Sequence, residues 1–275
     1  PQTLGGHRYR VRSPENVAAE MALAKKLFPQ VREFFFDDDT FTDDLPRAEE
    51  IARRLGKLGL TWSCNAKANV PRKTLEIMKD NGLRLLLVGY ESGNDQILIN
   101  IKKGVRIDIA REFSRNARDL GIKIHGTFIL GLPGETTETI QQTIKFACDI
   151  DPETIQVSLA APYPGTELYR QAQEQGWLQI QTGELVDAHG IQTAAMNYPK
   201  LSSTVIFSSV EELYRKFYFR PRKMFSLFGG MLRDPEVMKR RAREGVEFFK
   251  FLHERKATAR EMAESGAATA AGSGD

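Results

Sequence analysis

Polar side chains recur in this sequence directly after apolar runs, and their types suit chemistry on a charged or hydroxylated ligand. Three acids occupy positions 37–39, Asn65 and Lys67 follow a second run, Glu91 ends a third, and the glycine-rich residues 131–135 follow a fourth. Carboxylates accept hydrogen bonds from amino and hydroxyl groups, and glycine lets the backbone approach a ligand closely. One such cluster is an ordinary loop or helix cap, but four at equivalent positions favour a binding site.

The elements that must position these clusters alternate between strand and helix over residues 1–160. Apolar, β-rich runs predict strands, and segments with helical spacing separate them. The predicted strands cover residues 31–36, 60–63, 83–88, 122–130 and 154–159. Helices are predicted to begin at Ser13-Pro14 and to cover residues 45–58, 71–81, 107–120 and 136–149. Two isolated residues are interpreted as core residues, namely Cys64 directly after the second predicted strand and His125 within the fourth.

Strand-then-helix units of this kind predict parallel strands joined by right-handed crossovers. A (β/α) barrel and an open doubly wound sheet both produce the pattern, and periodicity alone does not separate them. In a barrel, the polar clusters would share the rim on which chemistry is built.

The alternation of strand and helix ends at residue 179. Residues 179–210 are predicted as a loop region, 211–260 as a helical extension and 261–275 as a disordered tail.

Composition narrows the class of protein. The 275-residue chain carries a net charge of +3 and 27% charged residues, which is ordinary for a globular protein and indicates no particular partner. No apolar run approaches the roughly 18 residues of a transmembrane helix, and the start does not resemble a signal peptide. The chain has two cysteines, which excludes a disulfide scaffold and predicts a reducing, cytoplasmic location.

Four motifs follow one another along the chain at the predicted strand ends. They are FFFDDDTF at residues 34–41, YESG at 90–93 with KKG at 102–104, GTFILGLPGET at 126–136 and PYPGT at 162–166. In this order they resemble the radical S-adenosylmethionine (SAM) superfamily, and most of all its branch with an upstream cobalamin-binding domain. Within that branch, residues 1–10 and 62–67 are similar to the hopanoid-biosynthesis type, which forms the cyclitol ether of bacteriohopanetetrol.

The resemblance implies an α/β fold, namely a partial (β/α)6 TIM-like radical SAM barrel over residues 1–178, with a helical C-terminal appendage. Residues 1–10 look like the segment that follows the CxxxCxxC loop of the superfamily. The resemblance therefore implies that the first strand and the cysteines of the [4Fe–4S] cluster lie upstream of Pro1, so that this chain alone is inactive. Two cysteines far apart in sequence cannot supply the clustered ligands of an iron–sulfur centre.

The resemblance also implies that the polar clusters bind SAM. Acids at the end of the first predicted strand would meet its amino group, Glu91 its ribose, and the peptide groups of residues 129–133 its adenine. Lys67 stands where many relatives carry arginine, so its carboxylate contact would be monodentate. The residues predicted to bind the cofactor are Asp38, Asp39, Asn65, Lys67, Glu91, Ser92, Gly93, Gly131, Leu132 and Pro133, and Tyr163 is predicted to line the substrate cavity.

The function implied by the resemblance is radical chemistry on a small-molecule or lipid substrate. The resemblance to the hopanoid-biosynthesis type further implies a hopanoid-linked substrate. An electron donor such as flavodoxin or ferredoxin is implied as a partner, and cobalamin as a further cofactor of the full-length protein. Cobalamin-dependent methyl transfer is the first alternative. The others are a metal-dependent barrel lyase or aldolase built on Asp37, Asp38 and Asp39, and a non-catalytic fragment; no metal ligand is assigned.

Basic and aromatic residues concentrate in residues 211–260, where they allow three interpretations. The interpretation that we favour is that this segment packs on the barrel. The next is that it contacts anionic lipid at the inner face of the membrane. Nucleic acid is not expected as a partner, because no binding motif accompanies the charge. Lipid docking requires five side chains to face outward together, namely Arg215, Lys216, Arg220, Arg222 and Lys223.

Overall fold

The computed structural model describes residues 11–179 and 192–225 together with residue 243, and these form an α/β protein. The strands of this part of the chain are β1 Phe34–Phe36, β2 Trp62–Ala66, β3 Leu83–Glu91, β4 Lys123–Leu130 and β5 Thr154–Leu159. The α-helices are α1 Pro14–Leu27, α2 Leu45–Lys57, α3 Arg72–Asp80, α4 Asp95–Asn100, α5 Ile107–Asp119, α6 Thr137–Ile150, α7 Glu167–Glu174 and α8 Ser203–Tyr218. A 3-10 helix covers Phe41–Asp43.

Local sequence determines where several helices begin. Ser13 precedes Pro14, and its Oγ accepts a hydrogen bond from Asn16 N at 3.2 Å. Asp44 caps α2 in the same way, since its Oδ1 accepts a hydrogen bond from Arg47 N at 3.0 Å. Each cap satisfies an N–H that the first helical turn leaves unpaired, so the helix starts at a defined residue.

The five strands form one sheet in the order β1-β2-β3-β4-β5, which is also their order along the chain. β1 pairs with β2, β2 with β3 and β3 with β4, in each case in parallel. A doubly wound sheet reverses its strand order at a switch point, and no reversal occurs among these strands. The order therefore favours the barrel arrangement, and the predicted α/β fold of partial-barrel type is confirmed.

The two faces of the sheet differ in burial. Side chains alternate between the faces along a strand, and on one face of β3 and β4 they are buried: Leu86, Val88, Tyr90, Ile124 and Phe128. Within this row the rings of Tyr90 and Phe128 stack with their centroids 5.7 Å apart, and Tyr90 Oη lies 2.6 Å from Ser114 Oγ. The side chains that alternate with them are only half-buried. The core thus lies on one face of the sheet.

The chain divides into two compact units, and their boundary differs from the predicted one at residue 178. The first unit is Pro1–Phe128 with Asp149–Gln156, and the second is Ile129–Cys148 with Val157–Asp275. Hydrogen bonds within the second unit explain the difference. Val157 N donates to Tyr214 Oη at 2.9 Å, and Leu159 N donates to Gln192 Oε1 at 2.9 Å. Segments from both sides of residue 178 therefore pack together, and a domain boundary at residue 178 stays a prediction.

Several elements depart from their predicted bounds. α8 begins at Ser203, inside the residues predicted as a loop region, because Ser202 Oγ caps it by accepting a hydrogen bond from Val205 N at 3.3 Å. α4, α7 and the 3-10 helix are absent from the predictions, since elements this short show little periodicity. β1 begins at Phe34, three residues after the predicted start. The predicted tail 261–275 and most of the helical extension lie outside the described residues.

Basic residues at the end of α8 are partly held against the protein. Arg220 and Lys223 lie over the ring of Phe217, with 4.7 Å from Arg220 Cζ and 4.9 Å from Lys223 Nζ to its centroid. Lys216 Nζ pairs with Glu212 Oε1 at 2.7 Å. Lys223 is buried, so the five cations do not face outward together as lipid docking by this segment requires. Among the described residues no helix is both long and apolar enough to cross a membrane.

We expect Gly82, at the turn into β3, to tolerate substitution far less than Gly104. Gly82 has φ +95°, and a Cβ there would lie 2.0 Å from the carbonyl oxygen of Leu60, whereas Gly104 has φ +72° and no atom within 4 Å of its Cβ position. Gly82→Ala should lower the free energy of unfolding by about 4 kcal/mol. Gly104→Ala should lower it by about 1 kcal/mol, the cost of left-handed backbone. Urea denaturation measures both, and equal losses would contradict the steric argument.

Candidate cofactor-binding site

The carboxyl ends of β1 and β2 bring the first two polar clusters together. Asn65 Nδ2 donates a hydrogen bond to the carbonyl oxygen of Asp38 at 2.8 Å, which ties the chain after β1 to β2. Lys67 Nζ forms an ion pair with Asp43, and the predicted contact of Lys67 with the cofactor stays a prediction. The side chains of Asp38 and Asp39 are exposed. Their carboxylates are therefore available to a cationic ligand at this edge.

Glu91 ends β3 in an unusual backbone conformation. The ladder to β4 shifts register between Gly89 and Glu91, and Glu91 has φ +64°, a region that non-glycine residues enter at a cost. Glu91 Oε1 pairs with Lys103 Nζ at 2.7 Å, and the two side chains are 16% and 24% exposed, respectively. Glu91 Oε2 makes no hydrogen bond to any described residue. This oxygen is therefore free to accept hydrogen bonds from a ligand.

Gly89 makes this arrangement possible, and sequence reasoning did not single it out. A Cβ at position 89 would lie 2.4 Å from Glu91 Oε1 and 2.9 Å from Lys103 Nζ. The carboxylate and the ammonium thus lie directly over the backbone of Gly89, where any side chain would displace them. The signal was present, because a glycine inside an apolar strand often marks a bulge or a close approach.

Ser92 and Gly93 connect Glu91 to α4. Ser92 is fully buried, its N–H donates to the carbonyl oxygen of Tyr90 at 2.8 Å, and its Oγ accepts from Asn94 N at 3.3 Å. Asn94 then caps α4 through Ile97 N at 3.0 Å. Ser92 therefore supports the turn that carries Glu91, and its predicted contact with the cofactor stays a prediction.

The second unit holds the loop of residues 131–135 through a carboxylate that the predictions omitted. Glu135 is 3% exposed, and its Oε2 accepts hydrogen bonds from Gly131 N at 2.6 Å and Leu132 N at 3.1 Å. Tyr198 Oη donates to the carbonyl oxygen of Gly131 at 2.7 Å. The expectation of exposed peptide groups is therefore wrong for Gly131 and Leu132, because this loop uses them internally. A role for Gly131, Leu132 and Pro133 in adenine binding stays a prediction.

Burial raises the pKa of two side chains at this loop, Glu135 and Tyr198. Desolvation raises the pKa of Glu135 to about 7, although its two backbone hydrogen bonds act in the opposite direction. Glu135 Oε1 is buried without a hydrogen-bond partner. Burial, and then the charge of Glu135, raise the pKa of Tyr198. Glu135 is thus a carboxyl group that changes its charge near neutral pH.

Tyr163, predicted to line the substrate cavity, lies in the second unit just before α7. Its side chain is 58% exposed, so it is accessible to a ligand. Its carbonyl oxygen accepts hydrogen bonds from Thr166 Oγ1 at 2.6 Å and from Thr166 N at 3.1 Å. The turn before α7 therefore holds the backbone of Tyr163 while the ring stays outside.

Cys64 and His125, which were both interpreted as core residues, differ in their burial. Cys64 is buried, and burial followed by the charge of Asp38 raises the pKa of its thiol. His125 is only half-buried, on the side of the sheet opposite to the core, and its Nδ1 lies 2.7 Å from Thr154 Oγ1. The core interpretation is correct for Cys64 and wrong for His125, because strand alternation places His125 on the less covered face.

The described residues fit SAM better than they fit a metal centre. Glu91 Oε2 and the exposed Asp38 and Asp39 suit a ribose and an amino group. The cysteines do not fit an iron–sulfur cluster: Cys64 is buried with its thiol protonated, and the Cys148 thiol donates to the carbonyl oxygen of Lys216 at 3.7 Å. In the described ranges, no group of three histidine, cysteine, aspartate or glutamate residues is placed to hold a metal ion.

A parallel sheet in chain order is typical of barrel proteins, in which the carboxyl edge of the strands is where enzymes of this class carry their active sites. The model of the Radical SAM superfamily matches residues 2–147, and the chain belongs to this superfamily. The members of this superfamily use SAM and a [4Fe–4S] cluster. The predicted superfamily is thereby confirmed.

Methyltransferases are prominent among the similar proteins. The chain is 31% identical over 226 residues to an uncharacterized methyltransferase of Pyrococcus horikoshii, with 79% of the chain and 47% of the relative covered. It is 28% identical to the cytidylyl-2-hydroxyethylphosphonate methyltransferase of Streptomyces wedmorensis, with 63% of the chain and 34% of the relative covered. The chain thus spans less than half the length of these relatives.

The fold also matches a solved radical SAM methyltransferase, TsrM from Kitasatospora setae, with tryptophan and a SAM analogue bound. The TM-score is 0.64 at 18% identity, with 79% of the chain and 48% of TsrM covered. A second structure of TsrM, with cobalamin and a [4Fe–4S] cluster bound, gives a TM-score of 0.57. At this identity the likeness shows the fold, and it agrees with the partial-barrel order of the strands.

Glu135→Gln should abolish a specific pH dependence of stability. Because the folded pKa of Glu135 is about 7 and its ordinary value is 4.5, the wild type should have its full stability below about pH 4.5. It should then lose about 3 kcal/mol as the pH rises to 7. Glutamine does not ionise, so the variant should lack this loss.

Urea unfolding of both proteins between pH 4.5 and pH 8 measures the effect as a difference, in which all other titrating groups cancel. Glu174→Gln changes an exposed acid of α7 and serves as the matched control, with a pH profile parallel to that of the wild type. Parallel profiles for wild type and Glu135→Gln would show that burial does not shift this carboxyl group.

Proposed function

We propose that this chain is the SAM-binding part of a radical SAM enzyme that transfers a methyl group with the help of cobalamin. The observation that carries SAM binding is the geometry of Glu91. Its Oε1 is held by Lys103 over Gly89, and its Oε2 is free at the carboxyl end of β3. A carboxylate held in this way accepts hydrogen bonds from both hydroxyls of a ribose without first having to be ordered.

The rest of the site follows from the same edge of the sheet. Asp38 and Asp39 are exposed after β1 and would hold the amino group of SAM. Asn65 bonds to the backbone of Asp38, and Lys67 pairs with Asp43. Neither side chain therefore occupies the carboxylates of Asp38 and Asp39 in place of the amino group. In the superfamily, SAM bound beside the reduced cluster supplies a 5′-deoxyadenosyl radical. The residues of this chain bind and orient the cofactor.

Methyl transfer is favoured over the other predicted reactions by the relatives. Two proteins 31% and 28% identical to the chain are named methyltransferases, and a fold neighbour of that activity contains cobalamin. The hopanoid-linked substrate and its cyclitol ether chemistry stay predictions, as do a flavodoxin or ferredoxin as electron donor and a peripheral contact with the membrane.

Glu91→Ala in the full-length protein should weaken SAM binding by roughly 10- to 150-fold, the effect of losing a charge-assisted hydrogen-bonded pair. Glu91→Gln should have a smaller effect, because its amide oxygen still accepts one hydrogen bond. Glu76→Ala removes an exposed acid of α3 that pairs with Arg72, and should leave binding unchanged. Calorimetry with the cluster fully loaded measures the affinities. Equal SAM affinity of Glu91→Ala and wild type would remove Glu91 from the site.

Methyl transfer predicts a second product from SAM. The full-length protein, given SAM and a reductant anaerobically, should release 5′-deoxyadenosine and methionine through reductive cleavage. With cobalamin added it should also release S-adenosylhomocysteine, which forms when the methyl group leaves the sulfonium. Chromatography with mass detection distinguishes the products. Release of 5′-deoxyadenosine alone, with cobalamin bound, would support radical chemistry and contradict methyl transfer.

A further inference from the structure

The end of α1 and the turn into β1 expose a cluster of large apolar side chains. Leu23, Leu27 and Phe28 are each more than half exposed, and Val31 is exposed as well. Single apolar side chains are common on protein surfaces, whereas several close together mark a surface that contacts a partner. We call residues 23–32 the α1 tip.

The side chains of α1 explain why this surface is left without a partner in the fold. A helix that packs on a sheet usually has one apolar side and a polar side opposite to it. Val17 and Met21 share one side of α1, while Leu23 and Leu27, also four residues apart, share another. Within α1, all of which the structure describes, Val17 is the one buried residue. The second apolar side therefore faces solvent.

Hydrogen bonds hold the α1 tip in a defined shape. Phe28 N donates to the carbonyl oxygen of Ala24 at 2.8 Å, and Val31 N donates to the carbonyl oxygen of Phe28 at 3.0 Å. Lys25 Nζ donates to the carbonyl oxygen of Leu58, just after α2, at 2.6 Å. The apolar side chains are thus carried by ordered backbone, so a partner binds them without first having to fold the tip.

The α1 tip is basic as well as apolar. Residues 21–32 contain three cations, Lys25, Lys26 and Arg32, and no acid. All three are exposed, as is Lys57 at the neighbouring end of α2. The dipole of α1 favours cations in its last turn, which accounts for Lys25 and Lys26. Arg32 lies five residues beyond the helix, so the dipole does not account for it.

The acids that come nearest in sequence do not neutralise these cations. Glu20 forms an ion pair with Arg12, and Glu33 Oε2 pairs with Arg84 Nε at 2.6 Å. The three acids at residues 37–39 follow β1 at its opposite end. The α1 tip therefore presents a positive potential together with its apolar side chains.

We propose that the α1 tip docks the protein on a membrane that contains anionic lipid. Leu27, Phe28 and Val31 enter the interfacial layer, and Lys26 and Arg32 lie beside the lipid phosphates. Leucine and phenylalanine flanked by lysine and arginine are typical of helices that lie at a lipid interface. The proposal goes beyond the proposed function and does not depend on SAM chemistry.

A lipid surface fits the α1 tip better than a protein partner does. Protein interfaces carry about one hydrogen bond per 100–200 Å², and these need neutral polar side chains as well as charged ones. Gln30 is the one neutral polar side chain within residues 21–32. Lipid makes no such demand, because it requires apolar insertion and attraction to phosphate.

The charge of the α1 tip is tested with the full-length protein and vesicles. The wild type should sediment with vesicles of phosphatidylglycerol and phosphatidylcholine, less so as salt rises, and not with phosphatidylcholine alone. Lys26→Gln with Arg32→Gln should weaken binding about 30-fold, since each cation near such a surface contributes about fivefold. Lys73→Gln with Arg115→Gln removes the same charge from exposed positions on α3 and α5, and should bind like the wild type.

The apolar part of the α1 tip is tested in the same assay. Leu27→Ala with Phe28→Ala should weaken binding roughly tenfold, because less apolar surface enters the lipid. Ile99→Ala with Ile109→Ala removes exposed apolar side chains of α4 and α5 and is the matched control. The emission of Phe28→Trp should shift to the blue with anionic vesicles, which reports on the tip itself.

Loss of vesicle binding in both tip variants, with both controls unchanged, supports the proposal. A wild type that stays in the supernatant with anionic vesicles at low salt overturns it. Equal binding to both kinds of vesicle overturns the role of anionic lipid, and equal binding by the wild type and the tip variants overturns the role of the tip. A change of oligomeric state in Leu27→Ala with Phe28→Ala, without a change in vesicle binding, would show that a second copy covers the tip. The charge variant alters only exposed polar ends, so it keeps the test valid if the apolar variant does not fold.

Discussion

The register shift between Gly89 and Glu91 is the constraint on which the geometry of the proposed site depends. It turns Glu91 into left-handed backbone and folds its carboxylate back over Gly89, where Lys103 holds it. Residues in this region of backbone space persist only when their surroundings over-determine them. Here the surroundings are the buried Ser92, the cap of α4 by Asn94, and the absence of a side chain at Gly89. The ion pair orients one oxygen and leaves the other for a ligand.

Glu91 and Glu135 have the same side chain but different roles, because their surroundings differ. Glu91 is paired with a cation at the edge of the sheet, so its charge is compensated. Glu135 is buried with two backbone N–H donors and no cation, and desolvation raises its pKa to about 7. Desolvation without a nearby cation disfavours the charged form of Glu135. Glu91 is accordingly suited to binding a ligand, and Glu135 to holding its own loop.

The uneven burial of the sheet connects the fold to the proposed chemistry. The face that carries Leu86, Val88 and Tyr90 is the core, and the opposite face is half-covered and polar. Barrel enzymes of parallel strands place their chemistry at the carboxyl ends of the strands, and the clusters of this chain lie there. Membership of the Radical SAM superfamily agrees with that placement. Because the chain spans less than half the length of the two methyltransferases described above, the cluster ligands and the whole reaction belong to the full-length protein in our proposal.

The order of the five strands and of the longer helices, the helix cap at Ser13, and the polar clusters at strand ends were readable from the sequence. They depend on residues close together in the chain, so spacing and side-chain type are enough to predict them. Only the tertiary structure decided that Lys103 pairs with Glu91, that Glu135 consumes the amides of its loop, and that His125 lies outside the core. Each of these depends on which segments pack together, and on how much water that packing removes from a side chain.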